Sequence, residues 1–226
     1  MVKQLRAART RQALVLAAAE IFATDGYALS SLPAISRRAG VSAGALHFHF
    51  PSKEALAGEV ESAARRAVEQ LVADRRPSTA SALDLLVTVV REVLAAVAAD
   101  VVVRAGFKLS VDPSRKNGMG FGCWWRAWVC EELLRAQRAG QLAEGVSPDR
   151  VAAVIVAATL GFEVLGSEDR DRIPARHVEQ FWSLVLPQLA AHGDQFASVA
   201  LPGSPAPGQE HADRPEFGLT NRPRRF

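Results

Sequence analysis

Apolar residues recur at spacings of three and four along nearly the whole chain, and no convincing run alternates in the two-residue rhythm of a half-buried strand. A chain patterned in this way buries its apolar stripes helix against helix, so the expected fold class is all-α. Leu14, Ala17, Ala18, Ile21 and Phe22 form the stripe of a first helix that ends near Asp25-Gly26. Ser31 can cap a short second helix through Ala39, with Leu32 and Ile35 turned inward. Ala39-Gly40-Val41 reads as a turn, and Ser42 caps another short helix to about Phe48. Pro51 interrupts the chain, and Ser52 caps a long helix carrying Leu56, Val60, Ala63, Ala67 and Leu71.

Beyond Pro77-Ser78-Thr79 the next stripe is Leu83, Leu86, Val90, Val93, Leu94 and Val97. Asp100 starts a shorter helix to about Val111, and the glycine-rich stretch Asp112 to Gly122 reads as a loop. A seventh helix is expected from about Trp124 to Ala139. Ser147-Pro148-Asp149 supplies a cap, a first-turn proline and a first-turn acid for an eighth. Pro174 opens a ninth, which Pro187 is expected to kink or shorten. Past His192 the composition turns to proline, glycine and polar residues, with too little apolar area to order itself. The expected organisation is a three-helix head at 1–53, a helical-bundle body at 54–192 joined through the long fourth helix, and a disordered tail at 193–226.

Charge divides along the same line. Residues 1–53 carry seven basic residues against two acidic ones, a net +5, while the rest carries 20 basic against 22 acidic, a net −2. A basic module on a near-neutral body is the footprint of a phosphate-binding head. The longest apolar run, Val151 to Phe162, falls short of the roughly 20 residues that a membrane crossing needs. The charged helical pattern at the N-terminus differs from a signal stretch, so a cytoplasmic location is the default expectation. Cys123 and Cys130 lie seven apart on one helix, about 10 Å along its axis, out of reach of a disulfide.

Two short helices meeting at Gly40 form a helix-turn-helix, in which the N-terminal residues of the second helix reach base edges in the major groove. That helix opens with Ser42, Ala43, Gly44 and Ala45, small enough to let the backbone approach DNA. Lys53 stands in the first turn of the fourth helix, where it can meet a phosphate. Phe48 and Phe50 are expected in the core, fixing the reading helix to its neighbours. Arg37 and Arg38 fit either a solvated face or phosphate contacts.

Ile21-Phe22, Gly26-Tyr27 and the run Ala39-Gly40-Val41-Ser42-Ala43-Gly44-Ala45-Leu46-His47-Phe48-His49-Phe50-Pro51-Ser52-Lys53-Glu54-Ala55-Leu56 resemble the signature of the TetR family of repressors. The resemblance implies DNA contacts at Ser42, Ala43, Gly44, His47, His49 and Lys53, with His47 standing where the family usually has tyrosine. The body resembles the butyrolactone-receptor branch of that family. The matching pieces are Gln4-Leu5-Arg6-Ala7 with Thr10-Arg11, Val103 to Ser110, Trp125 ahead of Gly140-Gln141-Leu142, and Trp182 with Leu186-Pro187. It implies that Trp125 lines a pocket for a small amphiphilic effector, with Trp124 and Trp128 as core. Relatives often carry threonine where this chain has Leu160, and Thr159 is the neighbouring hydroxyl that can stand in. That departure leaves open a pseudo-receptor answering to an antibiotic or biosynthetic intermediate. The apolar faces Val151, Val154, Ile155, Phe162 and Val178, Phe181, Val185, Leu189 are expected to pair helices eight and nine with a second copy in a homodimer.

The expected partners are therefore double-stranded operator DNA, a small-molecule effector and a second copy of the chain, with no membrane and no cofactor. An enzyme is disfavoured: the chain has no Gly-x-Ser-x-Gly, no phosphate loop and no metal-ligand spacing, so catalytic and metal residues are expected to be none. Gly118 to Gly122 follows no strand and reads as a mobile loop, and Glu131, Glu132 and Glu163 read as surface or salt-bridged acids. A sequence-blind DNA-binding protein is the remaining alternative, and the large apolar body speaks against it.

Overall fold

In the computed structural model, which describes residues 2–115, 120–168 and 175–191, nine α-helices run in sequence with a short 3-10 turn after the fourth. They are α1 (Val2–Leu29), α2 (Leu32–Arg38), α3 (Ala43–His49), α4 (Lys53–Arg75), α5 (Ala82–Ala99), α6 (Val101–Ser110), α7 (Gly120–Arg138), α8 (Pro148–Glu168) and α9 (Ala175–Leu189). The all-α expectation holds among the described residues; one isolated bridge between Leu142 and Ala190 ties the end of α9 to the segment after α7. The tail at 193–226 and the side chain of Glu163 lie outside the described residues. No described helix is long and apolar enough to cross a membrane.

The starts follow from local chemistry. Ser31, Ser42, Ser52 and Ser81 each accept a hydrogen bond from the backbone N–H three residues on, and Asp100 caps α6 through Val102 and Val103. The α2–α3 turn closes through Gly40, whose φ of 66° suits a residue without a Cβ, and through Ser36, whose hydroxyl donates to Val41 O at 3.1 Å. Two boundaries differ from expectation. α7 starts at Gly120 rather than near Trp124, because Phe121 packs edge-on against Phe107 with ring centroids 4.8 Å apart, and that burial outweighs the poor helix propensity of the glycines. α9 continues through Pro187 for two further residues before it stops.

Two hydrophobic cores share the long helix. The body core gathers the predicted α5 stripe with Val68 and Val72 of α4, Phe107, Trp125, Ile155 and Trp182. The head core joins Leu14, Ala18, Phe22, Ile35, Leu46 and Phe50. It does not end at residue 53: Leu56, Ala57 and Val60 of α4 and Ala105 and Leu109 of α6 belong to it. At the α4–α6 crossing a Cβ on Gly106 would stand 2.4 Å from the Ala64 Cβ, so the backbones meet as closely as side chains permit.

The end of α1 is bound to both helices. Gly26 breaks the helix at φ 77°, and the Tyr27 N–H donates to Asp112 Oδ2 at 3.1 Å. Lys108 of α6 donates to Ala23 O and Thr24 O at 2.8 and 3.2 Å, and Lys53 of α4 donates to Tyr27 O and Ser30 O at 2.7 and 2.9 Å. Both ammonium groups thus satisfy carbonyls that a helix end leaves bare. Beside them, the Arg115 guanidinium bonds Glu54 at 2.7 Å and holds its carboxyl below the usual carboxylate range. Burial disfavours the Asp112 charge, but hydrogen bonds from Ser114 and Tyr27, with the nearby Arg115, outweigh it and lower that carboxyl too.

Gly106→Ala is expected to destabilise the fold by about 2 kcal/mol through overpacking, which lowers the melting temperature by roughly 4–8 °C in a domain of this size. Adding Ala64→Gly returns the missing space, and the double variant is expected to melt nearer the wild type than Gly106→Ala does. The depressed carboxyls set a pH signature. Stabilisation from a lowered folded-state pKa is full above the unfolded value, about 4 for these groups, and is lost as pH falls through the folded one. Glu54→Gln is therefore expected to lower the melting temperature at pH 7, with the gap to wild type closing in acid; a gap independent of pH would contradict the assignment.

Candidate nucleic-acid interface and effector site

α3 stands on the head with one face anchored. Leu46 and Phe50, four residues apart, point into the head core and are buried. The opposite face is open: Ser42, Ala43, Gly44, His47 and Phe48 are all exposed. Phe48 is 81% exposed, which corrects the expectation that it belongs to the core. The reason is geometric, since a residue midway between two inward residues of a helix lies on its outer side. Its ring rests edge-on against His49, which is half-buried, at 5.2 Å. A Cβ added to Gly44 would meet nothing nearer than Ser42 Oγ at 4.0 Å.

The other basic groups of the head are variously engaged. Arg11 pairs with Glu59 at 2.5 Å and lies 4.6 Å from the Phe50 ring centroid. Arg38 pairs with Glu20 at 2.6 Å, while Arg37 is exposed. Lys53, expected to meet a phosphate, directs its ammonium to the end of α1 and lies 4.2 Å from the Tyr27 ring centroid. With two acceptors bound, it keeps one N–H of three for any further partner.

In the body all three tryptophans of α7 pack in or against the core. Trp125 is fully buried, whereas Trp124 and Trp128 are half-buried. Trp125 stacks on Trp128 with centroids 5.2 Å apart and meets Phe107 edge-on at 6.2 Å. Among the described residues the indole N–H groups of Trp125, Trp128 and Trp182 are all buried without an acceptor. Unpaired buried donors are rare and costly, so three in one core mark a region short of acceptor oxygens. Thr159 is buried, and its hydroxyl is spent on Ile155 O at 2.8 Å. An open groove of about 420 Å³ lies away from Trp125, at the head–body junction, lined by residues that include Leu16, Glu59, Arg66 and Val102.

Of the acids, Glu132 is buried and paired with Arg76 at 2.6 Å and Arg135 at 3.3 Å, and Glu131 pairs with Arg135 at 3.4 Å. Both cysteines are free thiols, and no cluster of metal-ligating side chains forms among the described residues. On the outer faces of α8 and α9, Val154 and Leu184 are exposed, Leu184 to 75%. Neighbouring Val151, Phe162, Phe181 and Val185 are partly buried.

Comparison with known proteins places these features. Residues 14–60 match the pattern of the bacterial regulatory proteins of the tetR family. The chain is 32% identical over 201 residues to the A-factor receptor protein of Streptomyces griseus, covering 85% of this chain and 68% of that one. A crystal structure of a gamma-butyrolactone receptor, an ArpA-like protein, superposes with a TM-score of 0.70 at 25% identity, over 86% of this chain and 95% of the other. CprB of Streptomyces coelicolor, in complex with its biological operator sequence, superposes with a TM-score of 0.71 at 26% identity, over 86% and 96%. The helix-turn-helix head, the helical body and the extent of these matches agree: the chain belongs to the TetR family of bacterial regulatory proteins.

Proposed function

We propose that the chain is a ligand-responsive transcriptional repressor, binding operator DNA as a homodimer and leaving it when the body takes up a small amphiphilic effector of the butyrolactone or furan type. The observation that carries the DNA half is the outer face of α3, where small residues and two aromatic rings stand exposed on a helix held from behind by Leu46 and Phe50. In this reading Ser42, Ala43 and Gly44 let the backbone approach the major groove, and His47 and His49 reach bases or phosphates. Phe48 joins them, its ring suited to apolar contact with a thymine methyl. Lys53 holds the end of α1 in place and offers its remaining N–H to a phosphate. Dimer formation through α8 and α9 would cover Val154 and Leu184 and set two heads one or more helical turns of DNA apart.

The effector half rests on the buried Trp125 indole with its unpartnered N–H. A lactone or furan brings a flat apolar body and acceptor oxygens, the group that this core lacks. The name of one structural relative, a gamma-butyrolactone receptor, points to the same chemical class. A second reading within the family, a response to an antibiotic or biosynthetic intermediate instead, is favoured by Leu160 and by the Thr159 hydroxyl being already bonded.

Selection of duplexes from a random pool by the full chain tests the proposal. A repressor enriches one two-fold-related site and binds it at least about a thousandfold more tightly than random DNA; equal affinity for all duplexes would leave a sequence-blind binder. On the selected site, Gly44→Glu is expected to abolish binding while the melting temperature stays near wild type, because the added side chain meets open space. Phe48→Ala is expected to cost at least about tenfold on that site, ~1.4 kcal/mol, and much less on random DNA. Trp125→Ala would open a cavity costing about 3–5 kcal/mol, so the informative change is Trp125→Phe. It keeps most of the bulk and deletes the N–H. Operator binding is expected to persist, while the concentration of a γ-butyrolactone needed for half-release rises about tenfold, the worth of one buried hydrogen bond.

A further inference from the structure

The segment after α6 reads as a polar loop, Asp112-Pro113-Ser114-Arg115, yet the Arg115 side chain is 1% exposed. Its Nη2 donates to Glu54 Oε1 at 2.7 Å and lies 2.9 Å from Glu61 Oε2, both on α4 and two helical turns apart. Its Nη1 donates to the last turn of α6 at Leu109 O, 3.4 Å away. The guanidinium carbon stands 5.5 Å from the ring centroid of Tyr27 at the end of α1. The Tyr27 phenol is pushed above its ordinary range first by burial and then by the neighbouring Glu54 carboxylate. One cation from the body therefore touches both helices that carry the head.

The energetics of this cluster are those of a device rather than a staple. Glu61 is buried, and among the described residues one of its carboxylate oxygens and the Arg115 Nε have no partner. Incompletely satisfied buried ion pairs contribute little net stability compared with apolar packing. What such a cluster does supply is geometry, because the guanidinium fork donates to its carboxylates in few orientations. No DNA-facing role accounts for it, since Arg115 is enclosed.

We infer that Arg115 is a positioning residue for DNA reading: it pins the first turns of α4 and the end of α1 to the end of α6, and so fixes the angle at which the body presents α3. Release of the pin loosens the angle of the head without unfolding it, since the head core, which also takes in Leu56, Val60, Ala105 and Leu109, packs without Arg115. The inference rests on the reading of the chain as a DNA-binding regulator, and its test separates the two.

Tyr27 is the only tyrosine in the chain, so full-length protein grown with 3-fluorotyrosine carries a single ¹⁹F reporter inside the cluster. Without DNA, Arg115→Met is expected to move that resonance to a new position; an unchanged line shows that no pin exists and overturns the inference. Affinity is then measured on the duplex that the wild-type chain selects from a random pool; failure to select one sinks the DNA-binding reading, and the ¹⁹F result still judges the pin. On the selected duplex Arg115→Met is expected to bind at least tenfold more weakly. The triple variant Arg115→Met, Glu54→Gln, Glu61→Gln removes both acids that the lost guanidinium leaves unpaired, the buried Glu61 and the half-buried Glu54. It is expected to regain the melting temperature of the wild type yet stay at least tenfold weak on DNA. Affinity that returns together with stability, or that was never lost, would make Arg115 merely structural and overturn the inference.

Discussion

At the α4–α6 crossing Gly106 faces Ala64 with no space for another carbon, and this contact makes α4 a member of two cores at once. Its first turns pack with Leu14, Phe22 and Leu109, and its later turns pack with the tryptophans and α5. A helix held at its crossing point and packed into a core on either side of it cannot shift in one core without shifting in the other, because close-packed interiors transmit displacement rather than absorb it. The ties at the end of α1 extend the same constraint. Lys108, Lys53 and Asp112 bind backbone groups that the break at Gly26 leaves open, so α6 grips the head through hydrogen bonds as well as through Ala105 and Leu109.

That continuity gives a physical route from effector to DNA. A ligand can change DNA affinity only by preferring one arrangement of the helices over another. The buried indole N–H of Trp125 lies in the same core as Phe107 of α6 and Val68 of α4. An acceptor brought to that indole would displace packed rings on α6 and α7, and α6 carries both the pivot at Gly106 and the lysine that caps α1. The two heads of a dimer need not move far, since their spacing must match the helical repeat of the operator.

Much of this was legible in the sequence because it depends on local chemistry. Serine caps, the Gly40 turn and the α5 stripe follow from hydrogen bonding and period, and the structure places them as expected. The face of α3 was only half legible. Leu46 and Phe50 fix its direction, but an aromatic residue beside them reads as core until the helix is turned by geometry, and Phe48 was misjudged for that reason. Long-range features left less trace. A proline- and serine-containing loop gives no hint that Arg115 folds under α4, and the inward turn of Lys53 depends on carbonyls from residues far earlier in the chain. Phe121 drew α7 back to Gly120 through a contact with Phe107 that no local pattern signals.

The coupling proposed between the two cores has effector and DNA binding alternative arrangements of one body. Its most direct test is calorimetric titration of a γ-butyrolactone into the free dimer and into the dimer saturated with its selected operator. Ligand affinity is expected to be weaker for the operator complex by about 5–150-fold, the usual range of allosteric coupling, with operator affinity reduced by the same factor in the ligand-bound protein. Equal ligand affinity in the two titrations would mean that the core around Trp125 and the reading face of α3 are not coupled, and would contradict the account.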